Sequence, residues 1–256
     1  KERVKVKGVQ TRGRGPGAGD HAREDLDALL AAEAAERVRA AGAPDALELA
    51  TLARTRGAGG ALGERVALWR GDLTALRAGA IVNAANSAML GCRVPGYACI
   101  DNVIHAVAGP GLRAECAAYM DSGRALLTGG YHLPAAHVIH TVGPVVEGEV
   151  GEEHRRLLAS SYRSVLDAAE AAGLDSVGLC SVSTGVFGYP KEEAAPVLDT
   201  IGAWLAAHPA GRMRIVVCAF AEADVIAYDK ALAAGSGRGL TARAGQGADR
   251  TEPAGV

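Results

Sequence analysis

The sequence predicts a three-layer α/β domain: a largely parallel sheet covered by helices on both faces. Three observations predict it. Short apolar, β-branched runs recur at 65–70, 80–85, 137–142, 177–182 and 214–220, the pattern of strands buried on both sides. Helical stretches separate the later runs, which favours parallel pairing. Hydrophobic residues make up 49% of the 256 and charged residues 22%, a globular balance.

Residues 1–19 are basic and Gly-rich with no apolar periodicity, so a disordered tail is expected. Residues 20–63 are expected to form a helical extension and a linker. Leu26, Leu29 and Leu30 sit among alanines and alternating charges up to Gly42, then Pro44 interrupts. A second short helix is expected at 45–54, and the Gly-rich stretch 56–63 suits a linker. The ordered body is expected at 64–234. In its helix at 152–173, Leu158, Tyr162, Val165 and Ala169 recur every three or four residues and form one stripe. The next helix, 190–208, opens with Pro190, and Glu192 and Glu193 in its first turn suit the positive end of the dipole. A helix at 222–234 closes the body. Residues 235–256 carry Gly, Ala and Arg but no core residues, and disorder is expected there.

The net charge of −2 gives no reason to expect nucleic acid or a membrane surface as partner. No apolar run approaches the roughly 20 residues of a membrane span, and no charged-then-apolar leader is present. Five cysteines, an odd number without a staple pattern, suit reduced thiols in a cytoplasmic protein.

In open α/β sheets, ligands bind beyond the carboxyl ends of the strands. Four places there carry chemistry. Trp69-Arg70-Gly71-Asp72-Leu73-Thr74 puts a carboxylate on a turn. Asn83-Ala84-Ala85-Asn86-Ser87 ends the second run with two amides. Ser183-Thr184-Gly185-Val186-Phe187-Gly188-Tyr189-Pro190 joins a strand to a helix start, and Phe220 ends the last strand. The Gly-containing loop is the most informative, because exposed backbone N–H groups at a helix start suit a pyrophosphate. It is neither a Walker A loop nor a GxGxxG fingerprint.

Together these places resemble the macrodomain family. The Gly-Asp-Leu-Thr turn, the Val82-Asn83-Ala84-Ala85-Asn86 strand end and the Ser-Thr-Gly-Val-Phe-Gly-Tyr-Pro loop occur in the family's order. Thr128-Gly129-Gly130 and Leu133-Pro134 precede the Val-Ile-His-Thr-Val-Gly-Pro strand, as they do there. The resemblance covers 64–234 and implies a mixed, largely parallel sheet with ADP-ribose as ligand. It implies that Asp72, with Leu73 beside it, meets the adenine amino group and that Phe220 lies against the ring. The backbone of Ser183, Thr184, Gly185, Val186, Phe187 and Gly188 would cradle the phosphates, with Asn86 and Phe187 at the distal ribose.

A narrower resemblance, at 89–105, is to the zinc-containing macrodomains often paired with a dedicated sirtuin. Their pattern is Cys, His five residues on, Cys two further, then Ile-Asp-Asn. Here it is Cys92, Tyr97, Cys99 and Ile100-Asp101-Asn102. The resemblance implies a sirtuin-type transferase and a lipoyl-carrier protein as partners. Cys92 and Cys99 remain candidate zinc ligands. Tyr97 is a poor third ligand, since a phenol with a pKa of about 10 must ionise to bind well, so a metal-free site is expected.

Asn86 and Asp101 are the candidate catalytic residues, placed by the resemblance beside the distal ribose. Asp101 could instead cap the helix that begins there. His105, four residues later on the same helix face, is read as a structural histidine. Cys116, Cys180 and Cys218 are read as core thiols, and His132, His137, His140 and His154 are assigned nothing. The expected activity is hydrolysis of ADP-ribose from modified proteins. The alternatives are a non-catalytic ADP-ribose reader, or a hydrolase of O-acetyl-ADP-ribose or ADP-ribosylated nucleic acid. Asp101 favours hydrolysis, because a reader needs no carboxylate beside the distal ribose.

Overall fold

A computed structural model of the chain describes residues 42–91, 99–117 and 125–235, with scattered positions between 28 and 40. The expected tails at 1–19 and 235–256 lie outside the described residues except for Gly235, which caps the last helix, and Cys92 and Tyr97 lie outside them too.

Six strands form one sheet in the order β1-β6-β5-β2-β4-β3: β1 (Val66–Arg70), β2 (Ala80–Ala84), β3 (Leu126–Gly129), β4 (His137–Thr141), β5 (Ser176–Leu179) and β6 (Arg214–Ala219). Neighbours run parallel except β3 against β4. All four residues of β5 and the first four of β2 are buried, so these strands show continuous apolar runs instead of alternation. The five expected strands are present with no end shifted by more than three residues. The edge strand β3 was not expected, because Leu-Leu-Thr-Gly is too short to stand out as a run.

The helices are α1 (Leu52–Arg56), α2 (Gly60–Arg65), α3 (Ile100–Ala108), α4 (Pro110–Ala117), α5 (Glu152–Ala171), α6 (Lys191–Ala194), α7 (Val197–Ala207) and α8 (Glu222–Ala234). On one face, α3 packs on β2, α4 packs on β3, and a 3-10 turn (Leu73–Ala75) meets α3. On the other, α5 packs on β4 and β5 and against α7. Gly178 lets the 3-10 turn approach the sheet, since a Cβ there would stand 2.6 Å from Leu76 and 2.9 Å from Leu73.

Two expectations need correction. The single helix at 190–208 is two, because Pro196 has no N–H to donate and its ring blocks a continuous ladder. The short helix expected at 45–54 is α1, which begins only at Leu52, and the stretch read as linker, 56–63, holds the start of α2, with Gly57 at φ +67 turning the chain between them. Leu52 and Leu62 are buried in the main core. The Ala46 N–H donates to the Arg77 carbonyl at 2.9 Å and the Arg77 N–H to Pro44 at 3.0 Å, fastening this segment to the body. Among the described residues no helix is long and apolar enough to cross a membrane.

Candidate active site

The carboxyl ends of β1, β6, β5 and β2 lie in that order along one edge of the sheet. Three inter-strand spacings make that edge roughly 14 Å long. Asp72, Asn86, the loop at 183–188 and Phe220 all follow these ends, whereas Gly129 and Gly130 lie by the amino end of β4.

At the β1 end, Asp72 accepts hydrogen bonds from the Thr74 N–H at 2.9 Å and the Thr74 hydroxyl at 2.6 Å, capping the 3-10 turn. This fixes a half-buried carboxylate at the edge. The Gly71 N–H donates to the Ala219 carbonyl at 3.0 Å, so Phe220 emerges close to Asp72. The Phe220 ring is 80% exposed, yet its backbone is held. The Phe220 and Ala221 N–H groups both donate to Asp224, at 3.1 and 2.8 Å, and Lys191 pairs with the same carboxylate.

The loop after β5 occupies the middle of the edge. Ser183 is held at φ +67 and is almost fully buried, and the loop closes through Gly188 N–H to Gly185 and Tyr189 N–H to Ser183, both at 3.1 Å. Among the described residues, the N–H groups of Gly185, Val186 and Phe187 donate to no acceptor in the chain, and Val186 is 63% exposed. The buried Ser183 hydroxyl is likewise without a partner. Consecutive uncommitted N–H groups form a concavity suited to an anion. Gly188 makes the loop possible: its φ is +71, and a Cβ would stand 2.8 Å from the Val146 carbonyl.

Beyond β2 lies the carboxylate. Asp101 is almost fully buried, and its Oδ1 accepts from the Asn83 amide at 2.8 Å, while Asn86 Nδ2 reaches its Oδ2 at 3.5 Å. Asn86 is itself oriented by donating to the Gly91 carbonyl at 3.2 Å and accepting from the Ala88 N–H at 2.9 Å. Asp101 therefore does not cap α3. That place belongs to Cys99, whose sulfur accepts from the Asn102 N–H. His105 stacks below on the same helix face, its Nε2 3.6 Å from Asp101 Oδ1, an electrostatic contact beyond hydrogen-bond reach. Burial holds the His105 pKa below its usual value and the Arg113 charge adds to this, against the pull of Asp101, so the imidazole is neutral near pH 7.

Apart from His105, the sequence pointed to none of what lies under Asp101. Asn83, noted only as a paired amide, also approaches His140 Nδ1 at 3.1 Å, and His140 Nε2 lies 3.0 Å from the Thr128 hydroxyl. Burial, then His105, push the His140 pKa down to about 3. A usable signal existed: a histidine at the centre of a continuous apolar strand must find a buried partner. Burial pushes the Cys116, Cys180 and Cys218 thiols up to about 12, as neutral core groups.

His105, Cys116 and His140 bring ligand atoms within 4.8 Å of one another. The donor set does not suit a cation. A metal-bound histidine donates through its other ring nitrogen, whereas His140 Nδ1 faces the N–H of Asn83. Of the residues matching the zinc pattern, Cys92 and Tyr97 lie outside the described residues, and Cys99 is engaged in its cap.

A model of the family described as Macro domain matches residues 82–198. The protein-ADP-ribose hydrolase of Treponema medium is 43% identical over 171 residues, covering 64% of this chain and 65% of that protein. The human ADP-ribose glycohydrolase MACROD2 is 44% identical over 172 residues, covering 66% of this chain and 39% of that protein. The chain thus spans less than two thirds of either relative. The Trypanosoma brucei macrodomain in complex with ADP-ribose superposes with a TM-score of 0.63 at 38% identity, over 74% of this chain and 78% of that one.

Proposed function

This chain belongs to the macro domain family, and on that premise we propose that it binds ADP-ribose and cleaves it from modified proteins. One observation carries the reading. A nearly buried carboxylate, Asp101, meets Asn86 at 3.5 Å at one end of the edge whose middle is the loop of uncommitted N–H groups. ADP-ribose is an extended ligand with an adenine at one end, two phosphates in the middle and a ribose at the other.

In this reading Asp72 accepts from the adenine amino group, with Leu73 beside it, and Phe220 covers the ring. The N–H groups of Gly185, Val186 and Phe187, with the loop set by Ser183, Thr184 and Gly188, donate to the phosphates. Asn86 and Phe187 hold the distal ribose, and Asp101 orients a water against its anomeric carbon. The new bond joins the water oxygen to that carbon as the bond to the modified side chain breaks. The side chain leaves with the electron pair, and the carboxylate accepts the proton of the water. An acyl-linked substrate suits this best, since its leaving carboxylate needs no proton.

Free ADP-ribose is expected to bind in the micromolar range, about −8 kcal/mol. Asp72→Ala is expected to weaken binding about ten- to a hundredfold, the scale of a hydrogen bond to a charged group. Calorimetry on both proteins checks this, and an unchanged affinity in the variant contradicts the adenine end. The linkage is tested by offering a panel of mono-ADP-ribosylated proteins, an ADP-ribosylated lipoyl-carrier protein among them. A panel left intact makes the chain a reader.

Zinc takes no part in this reading, because Tyr97 stands where a third ligand is needed. Elemental analysis is expected to find almost no zinc in the wild type and about one per chain in Tyr97→His. One tightly held zinc in the wild type contradicts this.

A further inference from the structure

We propose that Asn83 and His140 are positioning residues for Asp101: Asn83 ties the carboxylate to a His140 whose proton is locked on Nε2, so that Oδ1 is tethered and Oδ2 faces the distal ribose. The inference rests on the reading that Asp101 acts in cleavage.

The direction of every hydrogen bond in this chain follows from its first member. Asp101 Oδ1, 2.8 Å from Asn83, can only accept, so the atom facing it is the amide nitrogen. Turning the amide over would put its oxygen against the carboxylate. That nitrogen has a second hydrogen, and His140 Nδ1 lies 3.1 Å from it. Nδ1 must therefore accept, which leaves the ring proton on Nε2, 3.0 Å from Thr128 Oγ1. The Thr128 hydroxyl passes its own hydrogen to a backbone carbonyl, Gly129 at 3.3 Å or Val138 at 3.4 Å. One arrangement of protons serves every contact of this chain, and Asn83 Oδ1 is left without a partner. A protonated His140 would set N–H against N–H and break it, and burial disfavours that form.

The anchor is the sheet, not a loop. Asn83 and His140 are partners in the parallel β2–β4 register, and both are fully buried. Thr128, on the antiparallel edge strand β3, is almost fully buried as well. Asp101 sits on a helix that follows a segment outside the described residues, and this chain ties its carboxylate to three strands. A carboxylate held by rigid elements keeps its orientation without reorganising during reaction. Asn86 touches the other oxygen from the solvent side, at 3.5 Å.

The test begins with the wild-type protein. Nitrogen-15 shifts of the His140 ring are expected to show the Nε2–H tautomer near pH 7, and an Nδ1–H tautomer overturns the proposal. His140→Leu removes the acceptor and the donor together, whereas His140→Gln supplies one of each. Single-turnover release of ADP-ribose from a mono-ADP-ribosylated protein is expected to slow about ten- to a hundredfold in the leucine variant. The affinity of that variant for free ADP-ribose should stay unchanged, and the glutamine variant should recover most of the rate. A core role alone would lower the melting temperature without this split between rate and affinity. Wild-type rates in His140→Leu, or no gain from glutamine, overturn the inference if Asp101→Ala is slow. If Asp101→Ala releases ADP-ribose as fast as the wild type, the reading of Asp101 fails and the inference with it. Should His140→Leu fail to fold, the tautomer decides.

Discussion

Asp101→Ala should slow the release of ADP-ribose from a modified protein by about a hundred- to ten-thousandfold, the range of a positioned acid or base. Affinity for free ADP-ribose should change little. The split follows from where the carboxylate lies: it meets Asn86 and Asn83 beyond β2, whereas the loop with the uncommitted N–H groups follows β5. A group that works only as the water attacks is missed in the transition state and not in the bound ligand. The variant also leaves the buried Asn83 amide one partner short, which should cost about 1–3 kcal/mol of stability. A melting curve must therefore accompany the kinetics. Comparable losses of rate and affinity would move Asp101 from catalysis to ligand binding.

Gly188→Val is expected to have the largest effect on binding, lowering ADP-ribose affinity by at least about a hundredfold. Two causes act together. The φ of +71 is a conformation that costs a non-glycine residue about 1–2 kcal/mol, more for a β-branched one. A Cβ would also stand 2.8 Å from the Val146 carbonyl, which is backbone and has little room to yield. The loop must shift, and the N–H groups of Gly185, Val186 and Phe187 shift with it. Gly185→Ala is the matched control, because a Cβ there meets nothing within 4 Å and the φ is ordinary. Calorimetry separates the two, and equal affinities would show that loop shape does not govern phosphate binding.

The parallel sheet was legible because strands buried on both faces are written as unbroken Val, Ile and Ala runs. The edge of the sheet was legible because turn residues there cluster at chosen places: Asp72, the Asn83/Asn86 pair, and glycines at 185 and 188. What failed to show depends on packing between elements distant in sequence. β3 is four residues long and is defined by its partner β4. The residues at 56–63 look like a linker because glycines dominate them, yet α2 begins there and Leu62 reaches the core. Asp101 at a helix start resembled a cap, and only the position of Asn83 shows that it turns inward. His140 and Thr128 carry no local signature, because their meaning lies in strand register.

A time course with the wild-type protein in excess over a mono-ADP-ribosylated, acyl-linked acceptor tests the proposal that the edge of this sheet both holds ADP-ribose and severs it. Free ADP-ribose is expected to accumulate to the full amount of modified acceptor, and the acceptor to recover its unmodified mass at the same rate. A modified acceptor that stays in complex with the protein, with its ADP-ribose still attached, would contradict the account.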